Sequence, residues 1–266
     1  MKNTVLKVIS VIILAAFAAG MVACAEGSVY DSLSDDGYDV RVRYEADGAF
    51  VNDTQNVTVV EVFNSHNTVT SNGKTGISLL APDDSRRGKD GIFTLAKSDG
   101  KNNYYLAGWY TERTPRTDAE GNALDSYGIP TSVSGREQGY IYGGKWNFDT
   151  DLVSLDSFKD GEFVLYAGWV PFFTYEFYAM GEDGEYQLLG SKNKLTLVLP
   201  QWNDRKGEYN MKDFPKVTDK VFAGAYLDAE MTEEISEDLD GRDYFIDYEK
   251  GIALETAVKI YIKWAE

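Results

Sequence analysis

Three features of this 266-residue chain have residue types that chemistry requires. The first is Ser236-x-Asp238-x-Asp240-Gly241 with Asp247 beyond it. It places side-chain oxygens at positions 1, 3, 5 and 12 of a calcium-type loop, with glycine at 6. Ser at the first position and Asp243 at the eighth, where an apolar residue is usual, weaken that match. An acidic turn after a short helix is the competing reading. The second feature is His66, the only histidine, in the polar run Asn64-Ser65-His66-Asn67. A Ser-His-Asp relay would have to pass through it, yet no Gly-x-Ser-x-Gly elbow is present. The third is Cys24, the only cysteine. One His and one Cys leave a zinc site short of ligands, and there is no phosphate-binding loop or dinucleotide fingerprint. The 43 acidic residues create many chance carboxylate pairs, so no single pair argues for glycoside hydrolysis. No catalytic residue and no cofactor is expected from these residues.

The N-terminus carries an address instead. Lys2 and Lys7 precede an apolar run over 8–21, which ends Met21-Val22-Ala23-Cys24. A charged start, a short apolar stretch and small residues form an export signal. A Cys directly after the small residues resembles the lipobox of bacterial lipoproteins, with Met21 where Leu is usual. That resemblance implies removal of residues 1–23 and acylation of Cys24. Residues 24–37 are polar and acidic and read as a tether. A single Cys at the signal boundary provides no disulfide framework, so stability must come from hydrophobic cores. With 26 basic against 43 acidic residues the formal charge is −17. Nucleic acid and anionic lipid are therefore poor partners for the body of the protein.

The elements that position these groups read mainly as strands. Val40, Val42 and Tyr44 alternate with Arg41, Arg43 and Glu45, and Asp47-Gly48 follows as a turn. Residues 57–63 are rich in β-branched side chains and predict a second strand. Segment 71–91 is loop-like, and 92–97 with 103–110 flank a turn at Ser98-Asp99-Gly100-Lys101. Segment 113–144 reads as a long, partly ordered insertion. A helical turn is expected within 149–158. Further strands are expected over 173–178, turning at Asp183-Gly184, and over 194–199. The best helix is 229–239, where Met231, Ile235 and Leu239 lie four apart.

One pattern occurs twice. The strand over 162–169, ending Tyr166-Ala167-Gly168-Trp169, returns over 257–264 as Tyr261-Ile262-Lys263-Trp264. Upstream, Leu106-Ala107-Gly108-Trp109-Tyr110 returns as Phe222-Ala223-Gly224-Ala225-Tyr226. This duplication predicts two modules, 38–170 and 172–266. Leu106, Gly108, Trp109 and Tyr110, then Trp146, Phe148 and Thr150, then Tyr166, Ala167 and Trp169 resemble the Listeria–Bacteroides repeat, related to the B repeat of internalin B. In the second module Ala225 replaces the tryptophan and the middle motif has decayed. The resemblance implies a mainly β (α+β) fold of two tandem β-grasp-like modules, with loop insertions in the first, and brings no catalytic residues. The motif aromatics read as core. Tyr127, Tyr140 and Tyr142, in the insertion, are the candidate binding residues.

The expected function is that of a lipid-anchored, extracellular bacterial surface protein acting noncatalytically in interaction, adhesion or spacing. Its partners would be the membrane through the lipid, and a cell-wall glycan, host glycan or surface protein. The alternative is a glycan-binding protein or a surface glycan hydrolase.

Overall fold

A computed structural model of the chain describes residues 39–55, 58–88, 91–99, 103–157 and 162–265. The signal segment 1–23, the tether 24–37 with Cys24, and the turn residues Gly100-Lys101 lie outside them. The fold is mainly β, in several sheets of which none is closed. In chain order the strands begin with β1 (Asp39–Glu45), β2 (Phe50–Val51), β3 (Thr54–Gln55), β4 (Val59–Asn64), β5 (Val69–Ser71) and β6 (Lys74–Ser78). Next come β7 (Leu95–Ser98), β8 (Asn103–Pro115), β9 (Tyr140–Lys145), β10 (Leu152–Val153) and β11 (Glu162–Pro171). Then follow β12 (Phe173–Met180), β13 (Tyr186–Lys194), β14 (Thr196–Leu197), β15 (Gln201–Asn203) and β16 (Glu208–Asn210). The last are β17 (Val221–Tyr226), β18 (Leu239–Asp240), β19 (Ile246–Asp247), β20 (Ile252–Ala253) and β21 (Ala257–Ala265).

Two compact units divide the chain: Met1–Lys97 with Gly108–Arg113 and Gly143–Ala167, and Ser98–Ala107 with Thr114–Tyr142 and Gly168–Glu266. The larger sheet runs β3-β2-β7-β8-β11-β1-β4, with β9 on β8. Its β1 shows the expected alternation, with Val40, Val42 and Tyr44 buried. β1 pairs in parallel with β11 and antiparallel with β4. The Asp47-Gly48 turn forms with both residues at positive φ, but it joins strands that are not partners.

Alternation also turns Glu61 of β4 inward, opposite Val42, where it is 2% exposed. A carboxylate there needs charged or hydrogen-bonding partners. The charged partner comes from segment 71–91, which the sequence presented as a loop. That segment instead forms β5, β6 and a 3-10 turn at Ser85–Arg87, whose Arg87 is buried. The Arg87 guanidinium pairs with Glu61 and donates through Nε to the Ala81 carbonyl at 2.6 Å. The Tyr44 hydroxyl donates to Glu61 Oε2 at 2.9 Å, and burial first, then the Glu61 charge, push its pKa well up. The rings of Tyr44 and Phe93 flank the guanidinium, and Trp109 meets Tyr44 edge-on at 5.3 Å.

In the second unit the order is β13-β12-β21-β17, with β12 and β21 parallel. Phe173, Tyr175, Phe177, Val258, Ile260 and Ile262 point into one core with Leu197, Phe214, Ile235 and Leu239. Turn Gly181–Glu185 closes the expected hairpin. The strand expected over 194–199 reduces to Thr196–Leu197. Beyond it, Val198 N and Leu199 N donate to the carboxylates of Asp213 and Asp238 at 3.0 and 2.9 Å, so side chains replace the ladder. The helix expected over 229–239 is absent. The Asp228 carboxylate takes the amides of Thr232 and Glu233, Met231 adopts positive φ, and Ile235 N returns to the Ala225 carbonyl. Ile235 and Leu239 are both still buried, Ile235 on irregular backbone and Leu239 at the start of β18. The expected helical turn near 149–158 is the 3-10 turn Leu155–Ser157.

Segment 113–144 is ordered, contrary to the expectation. Arg116 N bonds Gly139 O, Leu124 N bonds Arg116 O, and Gly139 N bonds Leu124 O, all within 2.8–2.9 Å. At its centre Asp125 is fully buried and accepts from the amides of Tyr127 and Ile129 and from Arg136.

The shared Gly-x-Tyr landmark has a common packing reason. A Cβ on Gly108 would lie 3.5 Å from the Tyr110 hydroxyl, and one on Gly224 would lie 3.1 Å from the Tyr226 ring. In each case the tyrosine two positions on folds over the glycine. Trp109, whose counterpart is Ala225, takes no part in that contact.

Removing one member of the Glu61–Arg87 pair leaves a buried charge unpaired. Glu61→Leu or Arg87→Met alone should therefore cost about 3–5 kcal/mol in chemical denaturation, and the double variant should recover much of it. A second expectation concerns acid. Asp213 is buried, which opposes ionisation, but bonds from Lys194 Nζ at 2.5 Å and Val198 N outweigh this and hold its pKa below the ordinary value. A lowered folded pKa stabilises above the unfolded value and is lost as pH falls through the folded one. The Tm gap between wild type and Asp213→Asn should be widest near neutrality and close below about pH 4.

Candidate functional site

The three insertion tyrosines do not form one exposed face. Tyr142, expected at the surface, is 5% exposed, and its amide donates to Lys250 O. It is buried because the insertion folds instead of projecting. Tyr140 is half-buried beside it, with ring centroids 6.4 Å apart. Tyr127 lies under the Arg136 guanidinium at 4.6 Å, and its buried hydroxyl has no hydrogen-bond partner among the described residues. Burial and then the Asp99 charge raise its pKa to about 12.

The carboxylates of the calcium-type spacing each hold a different protein partner. Ser236 is exposed on irregular chain and Asp238 accepts from Leu199 N. Asp240 accepts from Arg242 N and holds the Arg242 guanidinium, which keeps its pKa low. Asp247 accepts from the amides of Glu249 and Lys250 and from Lys250 Nζ at 2.9 Å. Gly241 is required for another reason: an added Cβ would lie 2.3 Å from the Phe173 ring. Among the described residues, no group of three or more His, Cys, Asp and Glu is arranged to hold a metal ion. His66 is exposed, and its amide bonds Asn64 Oδ1 in a local turn.

The most informative exposed group is one that sequence reasoning passed over. β15 and β16 form a short hairpin with Trp202 opposite Tyr209. The Asn203 carbonyl takes the amides of Lys206 and Gly207, Asn203 Oδ1 takes Arg205 N, and Gly207 supplies the positive φ. Trp202 is 52% exposed. Behind it runs an aromatic series: Tyr209 at 5.2 Å, Phe222 5.4 Å further, Phe214 after 5.8 Å and Phe177 after 4.9 Å. The indole is thus exposed yet braced from the core outwards. Beside it a shallow, open depression is lined by Gln201, Asn203, Asp204, Arg205 and Asn210. Stacking on the indole and hydrogen bonding to three carboxamides, a carboxylate and a guanidinium are the available interactions. Covering the free half of an indole contributes on the order of 3 kcal/mol. A signal was present: Gln-Trp-Asn and Glu-Tyr-Asn bracket an Asp-Arg-Lys-Gly turn.

No protein-family model, curated protein or solved structure matches the chain in the comparisons made.

If the series is braced as described, truncation should matter more the deeper it falls. Phe214→Ala should lower stability by about 3–5 kcal/mol. Trp202→Ala should cost no more than about 1.5 kcal/mol, the value of its edge contact. Thermal and urea unfolding of the two variants measure the contrast.

Proposed function

We propose that this chain is a lipid-anchored, extracellular bacterial surface protein that binds or spaces and does not turn over substrate. The observation that carries the reading is an indole left in water at the end of a braced aromatic series, beside polar side chains. Buried carboxylates point the same way, since Glu61, Asp125 and Asp213 are each bonded within structural networks. The anchor rests on Met21-Val22-Ala23-Cys24, and the outer location follows from it.

We further propose two modules of β-grasp-like type, akin to the Listeria–Bacteroides repeat. Support comes from the strand orders β4-β1-β11-β8 and β13-β12-β21-β17, each with its middle pair parallel, and from the shared Gly-x-Tyr packing.

Labelling cells with radioactive palmitate tests the address. Wild type should incorporate the label and Cys24→Ala should not, while labelled Cys24→Ala would remove the anchor. Activity is tested on glycosidase, esterase and peptidase substrates. No turnover is expected, and turnover abolished by one carboxylate substitution in a folded protein would replace the binding reading with an enzymatic one.

A further inference from the structure

The Trp202 hairpin allows the ligand class to be narrowed, on the binding reading above. A flat indole recognises flat apolar surface, which aromatic rings, nucleobases and the C–H face of a pyranose all offer. The surroundings decide among them. No second apolar side chain lines the depression; its other members are Gln201, Asn203, Asp204, Arg205 and Asn210. A protein hot spot would place further apolar residues around the anchor, where water must be excluded. A single-stranded nucleic acid would need a basic groove for its phosphates. Here one carboxylate offsets one guanidinium, on a chain with a net charge of −17. Polyanions are therefore disfavoured.

Hydroxyl groups fit what remains. Each hydroxyl both donates and accepts, and so does each carboxamide, with two N–H donors and an acceptor oxygen. Asp204 and Arg205 add an acceptor pair and a donor fork. The depression is open, which suits a chain passing across it better than an enclosed small molecule. Two members are fixed before any ligand arrives. The Asn203 side chain is held by Arg205 N, and the indole is braced by Tyr209. Prior ordering lowers the entropic cost of binding.

We propose that this face of the β15–β16 hairpin is a subsite for a neutral glycan chain, with Trp202 stacking on one pyranose ring and Gln201, Asn203, Asn210 and the Asp204–Arg205 pair bonding its hydroxyls.

The test is calorimetric titration of the full chain, in detergent, with neutral hexasaccharides of β-1,4-linked glucose, mannose and N-acetylglucosamine, and with a galacturonate hexamer as polyanion. Tryptophan fluorescence is followed in parallel. At least one neutral hexamer should bind and perturb the emission, and the galacturonate hexamer should not. Trp202→Ala should weaken binding about tenfold or more at unchanged fold, and Trp202→Phe should keep part of it. Asn210→Ala, which leaves the indole in place, should weaken it about threefold to tenfold. The subsite is overturned if no neutral hexamer binds at about 10 mM, if only the polyanion binds, or if Trp202→Ala binds like wild type. A protein partner captured through Trp202 with no saccharide response overturns it as well, yet leaves the wider binding reading standing. Cleavage of a hexamer would remove that wider reading.

Discussion

The parallel pairing of two strands far apart in sequence is the constraint behind most of this structure. β1 lies beside β11, and β12 beside β21. Parallel neighbours cannot be joined by a tight turn, so the chain between them must leave the ladder and come back. The parallel pair is flanked on each side, giving β4-β1-β11-β8 and β13-β12-β21-β17, with β4, β13 and β17 antiparallel to their neighbours in the pair. The chain between the parallel partners is crossover, running from β1 to β11 and from β12 to β21. A crossover this long cannot stay an open loop without its backbone groups finding partners, and here it folds into small sheets and side-chain-bonded turns.

Buried carboxylates do much of that bonding. Glu61 draws the Ser85–Arg87 turn onto β4, and Asp125 takes two amides and a guanidinium inside segment 113–144. Asp213 holds Lys194 and the amide of Val198 where the ladder stops. Asp125 and Asp213 accept backbone amides that irregular chain leaves without a strand partner, whereas Glu61 is met by side chains alone. Because charged acceptors bond amides and cations strongly, a few of them can order long stretches of chain with little regular structure.

Aromatic residues divide into two populations on the same grounds. Tyr44, Trp109, Phe173 and Phe177 fill cores, whereas Trp202 ends a series that runs outwards from Phe177. The braced indole therefore combines exposure with a fixed orientation, the combination that a recognition surface needs.

Local chemistry in the chain determined its strands where alternation is strong. β1, β12 and β21 read directly from residues two apart, and the turn at Asp183-Gly184 from its residue types. The Gly-x-Tyr landmark was also legible, although its contact partner was not. Tertiary structure decided the rest. Four-residue spacing in 229–239 suggested a helix, but Asp228 captured the amides and β17 took the backbone instead. Alternation alone could not reveal what would neutralise Glu61 on the inner face, because its partner lies 26 positions away in an apparent loop. Nor could it separate Tyr142, which the folded insertion buries, from Trp202, which nothing in the described fold covers beyond half. Periodicity reports which residues share a face. What covers that face is set by chain that is distant in sequence, and it becomes known only when the chain closes on itself.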